Sequence, residues 1–291
     1  MTKLNLKLLT ALLAVALVAG VTLFSCKKEE TVKSQLKNEL VLLNKSITLT
    51  PKPIDNSKGK LWDGIKKGLA IAGADVIGVG AGIYAGKEIV IIAGGASGGT
   101  GAIVAGTICG VIGGAGASIA AAAPMGGNNP NGNETINYSF TVDNSSHGYL
   151  HNKIVEQHYS INSLPLVDIL NQANIQDAEL VVALYESNEF QNFMENLLIA
   201  AEEYGRDFDI KKFMKKCGYI SENLALVYDY LFQICSEIEN EADILSVVQA
   251  YESFTTGNSL LSNDEKEILK SSLSITKYSP YYWASVINTD E

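Results

Sequence analysis

Apolar positions along the chain fall into three regimes. From residue 148 onward they recur at helical spacing. Phe190, Phe193, Met194, Leu197, Leu198 and Ala201 form one stripe, closed by Gly205. Asp209 is placed to cap a short helix running through Met214 and ending before Gly218. Ser221 precedes a longer helix carrying Leu224, Val227, Tyr228, Leu231 and Ile234, and Ile244, Val247, Val248 and Tyr251 mark a fourth. Ser262 and Glu265 form a capping box ahead of Ile268, Leu269 and Leu273. Pro280 is expected to interrupt that last stretch, with Tyr278, Tyr281, Tyr282 and Trp283 around it as a core plug. Upstream, Leu36, Leu40 and Leu43 line one side of a short helix over 33–44 that Pro51 and Pro53 break. Ile136, Tyr138, Phe140 and Val142 alternate with polar residues, which predicts a short strand.

The middle regime has no helical stripe because it is apolar all round. Residues 61–127 hold 19 of the 26 glycines, and no charge occurs from Ile89 to Asn133. Gly78, Gly82 and Gly86 are spaced by four, as are Gly106, Gly110 and Gly114. On a helix each triplet is a groove without side chains, where a second backbone can approach closely. Gly94 to Gly101 between them reads as a turn, so the segment predicts a helical hairpin closed along its glycine faces. Asp75 is the costly residue in the first arm and is expected to face the partner helix or the aqueous end. Trp62, Lys66 and Lys67 suit an interfacial collar. The strongly apolar side chains of 102–123 contribute about −2 to −4 kcal/mol toward bilayer insertion, which glycine, serine and threonine oppose.

Charge narrows the functional classes. The chain has 22 basic and 32 acidic residues, a formal net charge of −10. Only one arginine, Arg206, is present, and nucleic-acid binding is not expected. The acidity is concentrated in the C-terminal zone, with 23 acids against nine basic residues from 148 onward.

Motifs suggestive of catalysis do not complete themselves. Gly95-Ala96-Ser97-Gly98-Gly99 matches the nucleophile elbow only within a low-complexity glycine run. Gly80-Ala81-Gly82-Ile83-Tyr84-Ala85 matches the loose dinucleotide pattern, but no acid follows at the distance a ribose needs. Gly86-Lys87 lacks the remainder of a phosphate loop. His147 and His151, spaced i, i+4, are weak metal-ligand candidates with Glu156 and His158 nearby, yet no familiar ligand spacing is completed. Cys217 and Cys235 are either a disulfide or two buried thiols, and Cys109 has no obvious partner. No catalytic residue, metal or cofactor is expected.

The amino-terminal segment carries the most specific signal. Lys3 and Lys7 precede an uncharged stretch from Leu8 to Thr22, followed by Leu23-Phe24-Ser25-Cys26. This resembles the lipobox of bacterial lipoproteins, with Phe24 bulkier than usual at its position. The resemblance implies cleavage before Cys26 and acylation there with fatty chains such as palmitate. The mature chain then has 20 basic and 32 acidic side chains. Lys27-Lys28-Glu29-Glu30 lacks the Asp of inner-membrane retention and resembles the surface-export signal of Bacteroidetes lipoproteins. The glycine-rich segment in turn resembles the glycine zippers of outer-membrane lipoproteins and of pore-forming bacteriocins.

These readings predict a mainly α protein without a single characterised family. The expected parts are a signal peptide (1–25), a tether (26–60), a glycine-zipper hairpin (61–125), a polar linker with a short strand (126–147) and an acidic helical domain (148–291). The expected function is that of a non-enzymatic envelope or cell-surface lipoprotein, lipid-anchored through Cys26, in the outer membrane. Its hairpin would meet the bilayer as a transmembrane pair, a partner helix or a second copy of itself. The alternative is a membrane-active, bacteriocin-like antibacterial effector with the hairpin as its pore-forming part.

Overall fold

A computed structural model of the chain describes residues 30–51, 59–92, 100–122, 136, 138–159, 164–173, 175, 178–204 and 209–287. The expected signal peptide, Cys26 and residues 94–99 of the expected glycine turn lie outside them, whereas Thr100 and Gly101 belong to a helix. The described residues are mainly helical and contain no strand. Helix α1 covers 30–46. It is followed by α2 (Gly59–Ile92), α3 (Thr100–Ala122), α4 (His147–Tyr159), α5 (Leu166–Gln172) and α6 (Ala178–Tyr185). Then come α7 (Asn188–Tyr204), α8 (Ile210–Lys216), α9 (Glu222–Glu237), α10 (Glu241–Gly257) and α11 (Asn263–Ile287).

The caps explain where the later helices start. Asp209 accepts from the Lys212 amide at α8, and Ser221 accepts from the Leu224 amide at α9. The box ahead of α11 is reciprocal: the Glu265 amide donates to Ser262 Oγ at 3.2 Å, and the Ser262 amide donates to Glu265 Oε2 at 2.8 Å. Gly218, at φ +76°, turns the chain after α8 in the left-handed conformation that glycine adopts without strain.

Helix α2 lies at the centre. It packs on α3 along one side, on α11 along another, and meets α7, α8 and α9. One apolar cluster joins Leu36 and Leu40 of α1, Val76, Val79 and Ile83 of α2, Ile108 and Val111 of α3, and the inner faces of α9–α11. A second joins Ile71 and Ala115 to Tyr282, Trp283 and Val286 of α11. The segments expected as a hairpin and as a separate helical domain therefore share their core.

Other expectations are also revised. The tether is folded over 30–51: Leu36 and Leu40 are fully buried, Asn44 Nδ2 donates to the Tyr230 carbonyl, and Thr50 donates twice to Asp243. The alternating segment forms no strand over its described residues, 136 and 138–142, and bends at Ser139 and Phe140. Tyr138 and Phe140 lie at 5.0–5.7 Å from the rings of Tyr278 and Tyr281, and Ser139 bonds the Tyr281 hydroxyl. Pro280 does not end α11, which continues to Ile287. Burial of Tyr281, Tyr282, Trp283 and Val286 beyond the proline holds the last turns in place. Among the described residues no helix is long and apolar enough to cross a membrane.

Candidate functional site

Backbones approach most closely where side chains are missing. A Cβ on Gly82 would lie 2.7 Å from the Cys109 carbonyl oxygen and 2.8 Å from Gly110 Cα. On Gly78 it would lie 2.6 Å from Ala117 Cβ and 2.8 Å from the Gly113 carbonyl oxygen. From the other side, a Cβ on Gly110 would strike Ile83 and the Val79 carbonyl, and one on Gly114 would lie 2.8 Å from the Asp75 carbonyl. These pairings run in opposite directions along the two helices, so α2 and α3 are antiparallel. Gly86 and Gly106 sit in the same helices, but their surroundings lie outside the described residues. Gly68 extends the principle to α11, where its Cβ would be 2.5 Å from the Pro280 carbonyl oxygen.

A buried polar cluster sits where α2, α4 and α11 meet. Asp75 and His151 are both fully buried, with His151 Nε2 3.6 Å from Asp75 Oδ1. Ser279 Oγ donates to Asp75 Oδ2. His151 Nδ1 contacts Asn152 Oδ1 at 3.1 Å, while Asn152 Nδ2 donates to Tyr138 Oη and to the Tyr278 carbonyl. Burial pulls the His151 imidazole down, but the Asp75 charge beside it and its polar neighbours outweigh that, and the group ends above its ordinary value. Asp75 thus faces neither solvent nor α3 but the His151 ring on α4, and a protonated imidazole there offsets part of the cost of burying the carboxylate.

The two histidines expected to share a ligand face do not act together. His147 Nδ1 contacts Ser271 Oγ at 3.0 Å, and burial, partly opposed by Glu267, lowers its pKa. His151 turns to Asp75 instead. The side chain of His158 lies outside the described residues. Among the described residues no group of three His, Cys, Asp or Glu is placed to hold a metal. The three described cysteines are free: Cys109 and Cys235 are buried, each thiol pushed up to about 12 by burial, while Cys217 is exposed.

Ser279, Ser272 and Asn152 escaped the sequence reading. Ser272 Oγ donates to the Val76 carbonyl, and Gly148 at the start of α4 packs against the Ser274 backbone. A signal was available: Ser272, Thr276 and Ser279 recur at i, i+4, i+7, a stripe of small residues like the glycine ridges. Comparison with protein-family models, with curated proteins and with solved structures yields no match.

Proposed function

We propose that the chain is a non-enzymatic lipoprotein of a bacterial outer membrane, anchored through acylated Cys26. Its glycine-zipper pair, α2 and α3, forms the packing centre of a helical body held at the bilayer surface. The observation that carries this reading is the order of Lys3 and Lys7, an uncharged stretch and Leu23-Phe24-Ser25-Cys26. Two or more acyl chains suffice for stable anchoring, at ~0.8 kcal/mol per buried CH₂. The contacts of Gly78 and Gly82 with α3, and of Gly68 with α11, support a zipper whose partner helices belong to the same chain. Cys26→Ser should abolish labelling by a fatty-acid analogue and release the protein from membranes. Undiminished labelling of that variant would overturn the reading.

One observation favours the effector alternative. Residues 108–118 of α3 are all buried and uncharged, so an apolar helix is stored within the core, packed on α2, α4, α6 and α7. Release of an encapsulated dye from vesicles by the purified chain would make that the better reading.

A further inference from the structure

Helix α8 is the basic exception in the acidic C-terminal zone. Four of the nine basic residues from 148 onward fall within six positions, Lys211, Lys212, Lys215 and Lys216. Met214 is fully buried and anchors the helix, and Phe213 is half-buried beside it. That leaves the lysines outward. Lys211 pairs with Asp229, and Lys215 Nζ lies 2.7 Å from Glu222 Oε1, so these two turn toward α9. Lys212 and Lys216, one turn apart, lie about 100° around the helix from that pair and are exposed. Asp209 is occupied in capping the helix through the Lys212 amide.

The start of α1 lies beside this helix. Glu222 Oε2 accepts from Lys33 Nζ at 2.9 Å while its other oxygen holds Lys215. One carboxylate therefore ties the first turn of α1 to the C-terminal end of α8. Cys26 precedes Glu30, the first described residue, by only four positions. At ~3.3–3.6 Å per residue, the Cα of Cys26 is within about 14 Å of that of Glu30. The Lys33–Glu222–Lys215 link thereby places α8 at the end of the molecule where the anchored segment enters, and an anionic surface reached there acts on its lysines over a Debye length of about 8 Å. An anionic surface attracts this face and repels the acid-rich remainder of the C-terminal zone, so both forces favour the orientation with α8 toward the bilayer.

We propose that α8 is a membrane-apposed face that takes anionic phospholipid head groups through Lys212 and Lys216. It would set the orientation in which the anchored protein sits on the bilayer. This rests on the acylation of Cys26, and the tests below separate the two ideas.

Cys217, exposed at the C-cap of α8, supplies a native probe. Acylation blocks Cys26, and Cys109 and Cys235 are buried. The acylated chain, labelled at Cys217 with a donor fluorophore, is reconstituted into phosphatidylcholine vesicles with or without phosphatidylglycerol and a head-group-labelled acceptor lipid. Energy transfer should be stronger with phosphatidylglycerol. It should fall in a Lys212→Gln/Lys216→Gln variant but not in Lys45→Gln/Lys153→Gln, which removes the same charge elsewhere. Transfer unchanged by the α8 substitutions would overturn the proposal while leaving the lipoprotein reading intact. A second arm uses the chain from position 26 with Cys26→Ser and measures co-sedimentation with phosphatidylglycerol vesicles. At roughly fivefold per lysine, the α8 double variant should bind about 25-fold more weakly. Equal binding of the two proteins, or none to either, would overturn the α8 proposal whether or not Cys26 is acylated.

Discussion

The α2/α3 pair and the helices α8–α11 bury their contacts by opposite means. In α9 and α10 the contact is made of large side chains: Tyr228, Leu231, Val247 and Tyr251 are fully buried and define the helix faces. In α2 and α3 it is made by their absence, with backbone meeting backbone at Gly78, Gly82, Gly110 and Gly114. Removing atoms damages the first kind of interface, whereas adding them damages the second. Helix α11 belongs to both regimes. It offers Leu269, Leu273 and Trp283 as bulk, and Ser272 and Ser279 as small polar contacts for α2.

Separating the two regions should have the largest effect. Residues 148–291 expressed alone would expose the α11 surface that Ile71, Val76 and Ala115 cover, so this fragment should aggregate or lose its near-UV circular dichroism signal. A soluble monomer with a native-like signal would restore an independent C-terminal domain.

Next comes the polar joint between the regions. Asp75→Ala leaves His151 buried without its counter-charge, a change that typically costs about 3–5 kcal/mol. Urea denaturation of the Cys26→Ser chain measures it, and a loss below about 1 kcal/mol, the range of an exposed pair, would mean that water reaches the site.

The glycine contrast is smaller but sharper, because its sign depends on position. Gly→Ala in a helix ordinarily gains up to ~1 kcal/mol. At Gly73 an added Cβ would sit 3.7 Å from Phe232, an ordinary contact, so Gly73→Ala should stabilise. At Gly82 it would press on the α3 backbone, so Gly82→Ala should destabilise by about 1–3 kcal/mol. The same sign at both positions would show that the spacing carries no packing role. Ala115, one residue from the Gly114 ridge, is no neutral control, since it is buried beside Trp283.

The smallest effect is a slope with pH. His151 lies above its ordinary value in the folded chain, so its contribution is complete below about pH 6.5. It fades as the pH rises through the folded value. His147, lowered by burial, acts in reverse and weakens the fold as the pH drops below about 6.5. Stability should therefore fall on the alkaline side, and His151→Asn should flatten that fall while sparing the acidic side. An unchanged alkaline slope in the variant would place the titrating group elsewhere.

Local chemistry was legible in the residues themselves. Ser221, Asp209 and the Ser262/Glu265 box act as caps because a side-chain oxygen one turn from an amide needs no distant partner. Leu36 and Leu40 reveal a buried helix face by their spacing, and Gly78, Gly82, Gly110 and Gly114 mark positions of close backbone approach. What occupies a groove or covers a face is not local. The tertiary structure decided that α1 docks on α9 and α10 rather than trailing as a tether, and that α11 runs through Pro280. It also decided that Asp75 meets His151 of α4 rather than water or α3. Each outcome depends on groups dozens to hundreds of positions apart in the chain. Periodicity tells a helix which side to bury, but only the assembled core supplies the surface that buries it.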